Sequence, residues 1–154
     1  MTEYSVGISM SNIILTIKAP MKLEQVHTNP DVYAPYLLSQ AIITGGFLFT
    51  SGQTAMGDDG EIVGKGDFDA QAEQAYRNLE RVLNAGGSSL NSVVKVTVFI
   101  TSMRHLPKMT ELRRRWFSAP YPAETLVEIS ALYSPDAMIE IEAIAIVNSD
   151  LSEN

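Results

Sequence analysis

The stretch from Pro120 to Val147, PYPAETLVEISALYSPDAMIEIEAIAIV, constrains the fold more than any other part of the chain. Thr125, Val127 and Ile129 alternate with Leu126, Glu128 and Ser130. Further on, Ile139, Ile141 and Ala143 alternate with Glu140, Glu142 and Ile144. A period of two fits half-buried strands and argues against a helix, whose faces repeat every 3.6 residues. Ser134-Pro135-Asp136 carries turn chemistry, because proline fixes its own φ and the flanking side chains can bond nearby backbone. The pattern predicts two strands joined by a short turn, with Glu124 opening the first and Glu140 inside the second. An acid among apolar strand neighbours needs a partner, a raised pKa or a task.

Upstream, Lys22–His27 reads as a short strand ended by the turn cluster Thr28-Asn29-Pro30-Asp31. Ser39–Thr44 and Phe47–Ser51 flank Gly45-Gly46, which predicts a tight hairpin, since glycine accepts positive φ without steric cost. The polar, glycine-rich tract from Gly57 to Gly66 reads as a loop. Asp67–Ala85 predicts a helix with Phe68, Ala72, Ala75, Leu79, Val82 and Leu83 on one face, Asp67 as N-cap and Gly86-Gly87 as the stop. Val93–Thr101 is apolar and β-branched, as a central strand should be. Arg104–Ser118 predicts a second helix with Leu106, Met109, Leu112 and Trp116 on its apolar stripe. Asn12–Lys18 could add a strand, and residues 1–20 otherwise read as an N-terminal extension before a single domain at 21–150 and a tail at 151–154. The order β, β, β, α, β, α, β, β predicts an α+β fold: one mixed sheet with both helices on one face. The other face is left bare, and a second copy of the chain is the simplest cover.

Charge and composition narrow the function. Of 154 residues, 45% are hydrophobic and 19% charged, which fits a globular chain, and the net charge of −7 opposes binding to nucleic-acid phosphates. No cysteine is present, which removes disulfides, thiolate nucleophiles and cysteine-based zinc sites. The two histidines, His27 and His105, sit in no HExxH or triad pattern, and Gly57–Gly66 lacks a phosphate-cradling GxxxxGK[ST] motif. Neither metal nor cofactor is expected. Apolar runs such as Ile13-Ile14-Leu15 are too short to span a bilayer, so no membrane partner is expected and the cytoplasm is the default location.

A set of local motifs, in order, resembles the Rid/YjgF family of reactive-intermediate (imine) deaminases, also labelled L-PSP endoribonucleases. The carriers are Ala34-Pro35-Tyr36 with Ser39-Gln40-Ala41, then Phe49-Thr50-Ser51-Gly52-Gln53. Gln74, Asn78-Leu79, Ala85-Gly86 and Val93–Phe99 follow, and then Pro122-Ala123 and Ile139–Ala143. The resemblance covers roughly Lys22–Val147. It implies a chorismate-mutase-like fold, a homotrimeric barrel, and small-molecule clefts between subunits.

The resemblance also implies a site. Active members place an arginine directly after the Pro-Ala pair, where its guanidinium forks onto the carboxylate of an imino acid. Here that position is Glu124. Two unit charges about 4 Å apart at an effective dielectric of 20 interact by about 4 kcal/mol, so repulsion of that order replaces attraction. Thr110 stands where typical members carry an asparagine near the cleft, Arg113 where they carry a tyrosine, and the segment between Tyr36 and Ser51 is two residues longer. Glu140 matches the glutamate that positions the attacking water, and Ser51-Gly52 the pair whose backbone holds the ligand. The implied activity is that of a divergent hydrolase or deaminase acting on a small imine or enamine. Tyr36 would line the cleft, Glu124 would set an altered selectivity, and Thr110 and Arg113 would border it, with Arg113 free to pair with Glu124. A non-catalytic ligand-binding or regulatory trimer is the rival. A ribonuclease is a weaker third reading, opposed by the acidic balance and the lack of a histidine pair.

Overall fold

The computed structural model describes residues 22–148; the possible strand at Asn12–Lys18 lies outside them. Among these residues nine strands and α-helices follow in order: β1 Glu24–Val26, β2 Ala41–Thr44, β3 Phe47–Thr50, β4 Gln53–Thr54, α1 Phe68–Ala85, β5 Val93–Ile100, α2 Leu106–Trp116, β6 Ala123–Glu128 and β7 Ile139–Ile146. All strands join one mixed sheet ordered β1-β2-β3-β7-β5-β6, with β4 also paired to β7. The α+β expectation is met, with β4 added.

The hairpin forms as its glycines require: Gly45 and Gly46 adopt φ of 58° and 83° between β2 and β3. Asp67 caps α1 by accepting from the N–H groups of Asp69 and Ala70 at 3.0 and 3.2 Å. All six residues assigned to the apolar face of α1 are buried, against Leu48, Val96, Val98, Ile139 and Ile141 of the sheet. Each large side chain so buried contributes about 1.5–3 kcal/mol.

Two expectations are corrected. The strands at either end of the Ser134-Pro135-Asp136 turn are not neighbours. β5 lies between them, parallel to β6 and antiparallel to β7. The chain from 129 to 138 is long enough to step over one strand, and the apolar, β-branched β5 takes the central place. The turn chemistry itself holds, with the Asp136 N–H bonded to the Ser134 hydroxyl at 3.2 Å. On α2, Leu106 is 48% exposed rather than part of the apolar stripe. His105, one residue earlier, takes the inward position, its ring stacked on Phe68 with centroids 3.8 Å apart. The inward-facing spacing is therefore His105, Met109, Leu112, Trp116, with Leu112 and Trp116 half-buried against the core, which keeps a helical stripe.

The sheet face away from the helices carries Phe47, Phe49 and Ile146, each more than 40% exposed, with Ile144 half-buried beside them. The bare apolar face expected from the element order is present.

Candidate functional site

β7 carries Glu140 on the side opposite its buried neighbours Ile139 and Ile141, directly across the ladder from Thr54 of β4. Between β3 and β4 the chain passes through Ser51-Gly52 under the Glu140 carboxylate. A Cβ built on Gly52 would fall 1.7 Å from Glu140 Oε1, so only glycine permits this approach. Burial raises the Glu140 pKa above the usual carboxylate range, and the nearby charge of Glu142 adds to the shift.

This carboxylate opens into a cleft of about 400 Å³ lined by Tyr33, Tyr36, Leu38, Ser51, Gly52, Thr54, Met56 and Tyr133 as well as Glu140. Tyr33 is buried and its hydroxyl donates to the Gly52 carbonyl at 2.5 Å, pinning the connection that passes beneath Glu140. Burial, and then the Glu140 charge, push the Tyr33 hydroxyl pKa well up, so it stays protonated as a donor. The Tyr133 hydroxyl lies 3.5 Å from Thr54 Oγ1. Asn78, buried on α1, donates through Nδ2 to the carbonyls of Thr54 and Met56 at 2.9 and 2.8 Å and fixes the cleft floor to the helix.

Four expected site residues, Tyr36, Ser51, Gly52 and Glu140, therefore meet in one place. Ser51 is more structural than expected. Its N–H donates to the Gln40 carbonyl at 2.9 Å and its hydroxyl to the Ser39 carbonyl at 2.7 Å. Tyr33, Leu38, Thr54, Met56 and Tyr133 fall outside the quoted motifs, and their place in the site depends on how β4 and the segments around Tyr33 and Tyr133 fold over Glu140.

Glu124 and Arg113 form a second constellation outside this cleft. The Arg113 Nε donates to Glu124 Oε2 at 2.8 Å while Nη2 donates to Oε1, a bidentate fork within a single chain. The bonded carboxylate raises the Arg113 pKa further. The Glu124 side chain is 13% exposed and that of Arg113 32%, and the buried ring of Tyr76 senses both charges. Arg113 is therefore not merely part of a solvated basic helix surface with Arg114 and Arg115. Thr110 is exposed on α2 and does not line the Glu140 cleft of its own chain.

The model for the family described as Endoribonuclease L-PSP matches residues 26–147. The chain belongs to the Endoribonuclease L-PSP family. A RutC family protein of Pyrococcus horikoshii is 42% identical over 137 residues, 88% of this chain and 98% of that protein. A 2-iminobutanoate/2-iminopropanoate deaminase of Dermatophagoides farinae is 30% identical over 129 residues, covering 84% of this chain and 98% of that one. Among solved structures, the Rid family protein YyfA of Yersinia pestis superposes with a TM-score of 0.74 at 33% identity, over 82% of this chain and all of that one. The fold is thus the YjgF-type α+β fold that the motifs implied. No helix among the described residues is long and apolar enough to cross a membrane.

Proposed function

We propose that this chain is a hydrolase of small imines or enamines that works at the Glu140 cleft. The observation that carries the reading is the Glu140 carboxylate, half-buried, raised in pKa and seated directly over Gly52 at the cleft wall. A carboxylate whose proton affinity is raised by burial can accept a proton from water and return it. Water attacks the carbon of a protonated C=N bond, the π electrons move to nitrogen, and Glu140 accepts the proton that the water loses. Glu140 then protonates the amine nitrogen, the C–N bond breaks, and the hydroxyl proton passes to the departing ammonia. The products are a carbonyl compound and ammonium. Since the Ser51 N–H is engaged, the Gly52 N–H, which has no backbone acceptor among the described residues, is the donor available to a ligand oxygen. Two relatives carry the name of 2-iminobutanoate/2-iminopropanoate deaminase, which supports the reaction class.

Glu124 and its bond to Arg113 support a departure in substrate: the strand offers no arginine to fork onto an imino-acid carboxylate. Thr110 and Arg113 would border a cleft only in an assembly, and the apolar face with Phe47, Phe49 and Ile146 supports a homotrimer that covers it. The test is ammonia release from imines generated in the assay, with wild type and Glu140→Gln. Acceleration of hydrolysis by the wild type and its loss in the variant are expected. A variant as fast as the wild type would remove Glu140 from the reaction.

A further inference from the structure

Three tyrosines and one carboxylate line the cleft, and among the described residues no lysine or arginine does. The Arg81 guanidinium, close enough to influence Tyr33, is bonded to Asp58 at 2.6 Å. Arg113 does not alter the balance. Two of its donors are engaged by Glu124, so a β6 edge brought against the cleft in an assembly carries a neutral pair. Tyrosine faces attract a cation through the ring quadrupole, and a single unpaired carboxylate adds a direct charge. An anionic ligand would meet the same carboxylate with nothing to offset it. The volume of about 400 Å³ would hold roughly a dozen waters at about 30 Å³ each, more than a four-carbon imino acid fills. Leu38 and Met56 provide apolar wall for a larger substituent.

Building on the imine-hydrolase reading of Glu140, we propose that the cleft selects cationic imines that lack a carboxylate: iminium ions bearing an apolar or aromatic group. Two-electron oxidation of a primary amine is the class of reaction that supplies such a substrate. Hydrolysis then yields the matching aldehyde or ketone and ammonium, with charge conserved.

Calorimetry on the full chain tests the selectivity with three probes: phenethylammonium, 3-phenylpropionate and 2-oxobutyrate. The ammonium is expected to bind at least tenfold more tightly than either acid. Glu140→Gln should weaken it about tenfold and erase most of the preference. Tyr36 and Tyr133 are 64% and 61% exposed, so Tyr36→Leu and Tyr133→Leu leave the fold intact. Each should weaken the ammonium about threefold and leave 3-phenylpropionate unchanged. Acids that bind as tightly as the ammonium, or a preference that survives Glu140→Gln, would overturn the proposal. Turnover separates it from the reading beneath it, using imines made from phenethylamine by an amine oxidase and from phenylalanine by an amino-acid oxidase. Faster hydrolysis of the amine-derived imine supports the selectivity. Faster hydrolysis of the other overturns the selectivity and keeps the hydrolase. Acceleration of neither overturns the hydrolase, and calorimetry then decides the charge preference by itself.

Discussion

Gly52 lies so close beneath Glu140 that the position of its absent Cβ falls 1.7 Å from the carboxylate oxygen Oε1. The backbone of one strand connection and the acid of another strand share a space that no larger residue leaves open. Gly52→Ala should therefore displace the carboxylate. A shift of about 1 Å at a reacting group lowers rate on the order of 10²-fold. Imine-hydrolysis assays should show that loss in kcat, and the thermal midpoint should fall as well.

Glu140 should govern the pH dependence of both rate and stability. As a base it must be ionised, so kcat is expected to fall as pH drops through its raised pKa. Its effect on stability has the opposite sign. The folded state holds the proton more tightly than the unfolded chain, so ionising Glu140 destabilises the fold above the raised pKa, and the penalty disappears below the ordinary carboxylate range. Glu140→Gln should raise the thermal midpoint at neutral pH, with a gain that shrinks towards zero near pH 4. A gain that stays constant across that range would separate the effect from ionisation.

The Arg113–Glu124 fork should behave as one unit. Hydrogen bonds to charged groups contribute about 1.5–3 kcal/mol, and Glu124→Ala, which leaves a half-buried guanidinium without its partner, should cost about that much. Glu124→Arg alone and Arg113→Glu alone set like charges together and should each destabilise at least as much. The double swap should recover more than half of the summed loss. Denaturant midpoints of the four proteins measure the coupling, and additive effects would exclude a direct interaction.

Asn78 joins α1 to the cleft floor through two carbonyls. Asn78→Ala leaves the carbonyls of Thr54 and Met56 without this donor in a buried setting, which costs about 1–3 kcal/mol for each group left unsatisfied. Urea unfolding should show the loss. Ligand affinity in the Glu140 cleft should drop too, because β4 forms its wall.

The apolar sheet face should hold the assembly together. Phe49→Glu places a charge among Phe47, Ile144 and Ile146. Light scattering should find three chains together in the wild type and dissociation in the variant. An unchanged mass would place the interface elsewhere.

What the sequence alone determined is the set of local elements. Alternation at Ile139–Ile144, the Gly45-Gly46 hairpin and the Asp67-capped helix follow from backbone preference and burial period, which act over a few residues. The same reach made Tyr36, Ser51, Gly52 and Glu140 legible through motifs. Only the tertiary structure decided that β5 separates β6 from β7, because pairing across a sheet depends on which strand buries best and not on which comes next. It also decided that Glu124 bonds Arg113 and not a ligand in its own chain's cleft, and that Tyr33 and Tyr133 enter the site. Those contacts join residues far apart in the chain or on irregular loops, where no period or spacing carries the information, and they exist only once the sheet has brought the segments together.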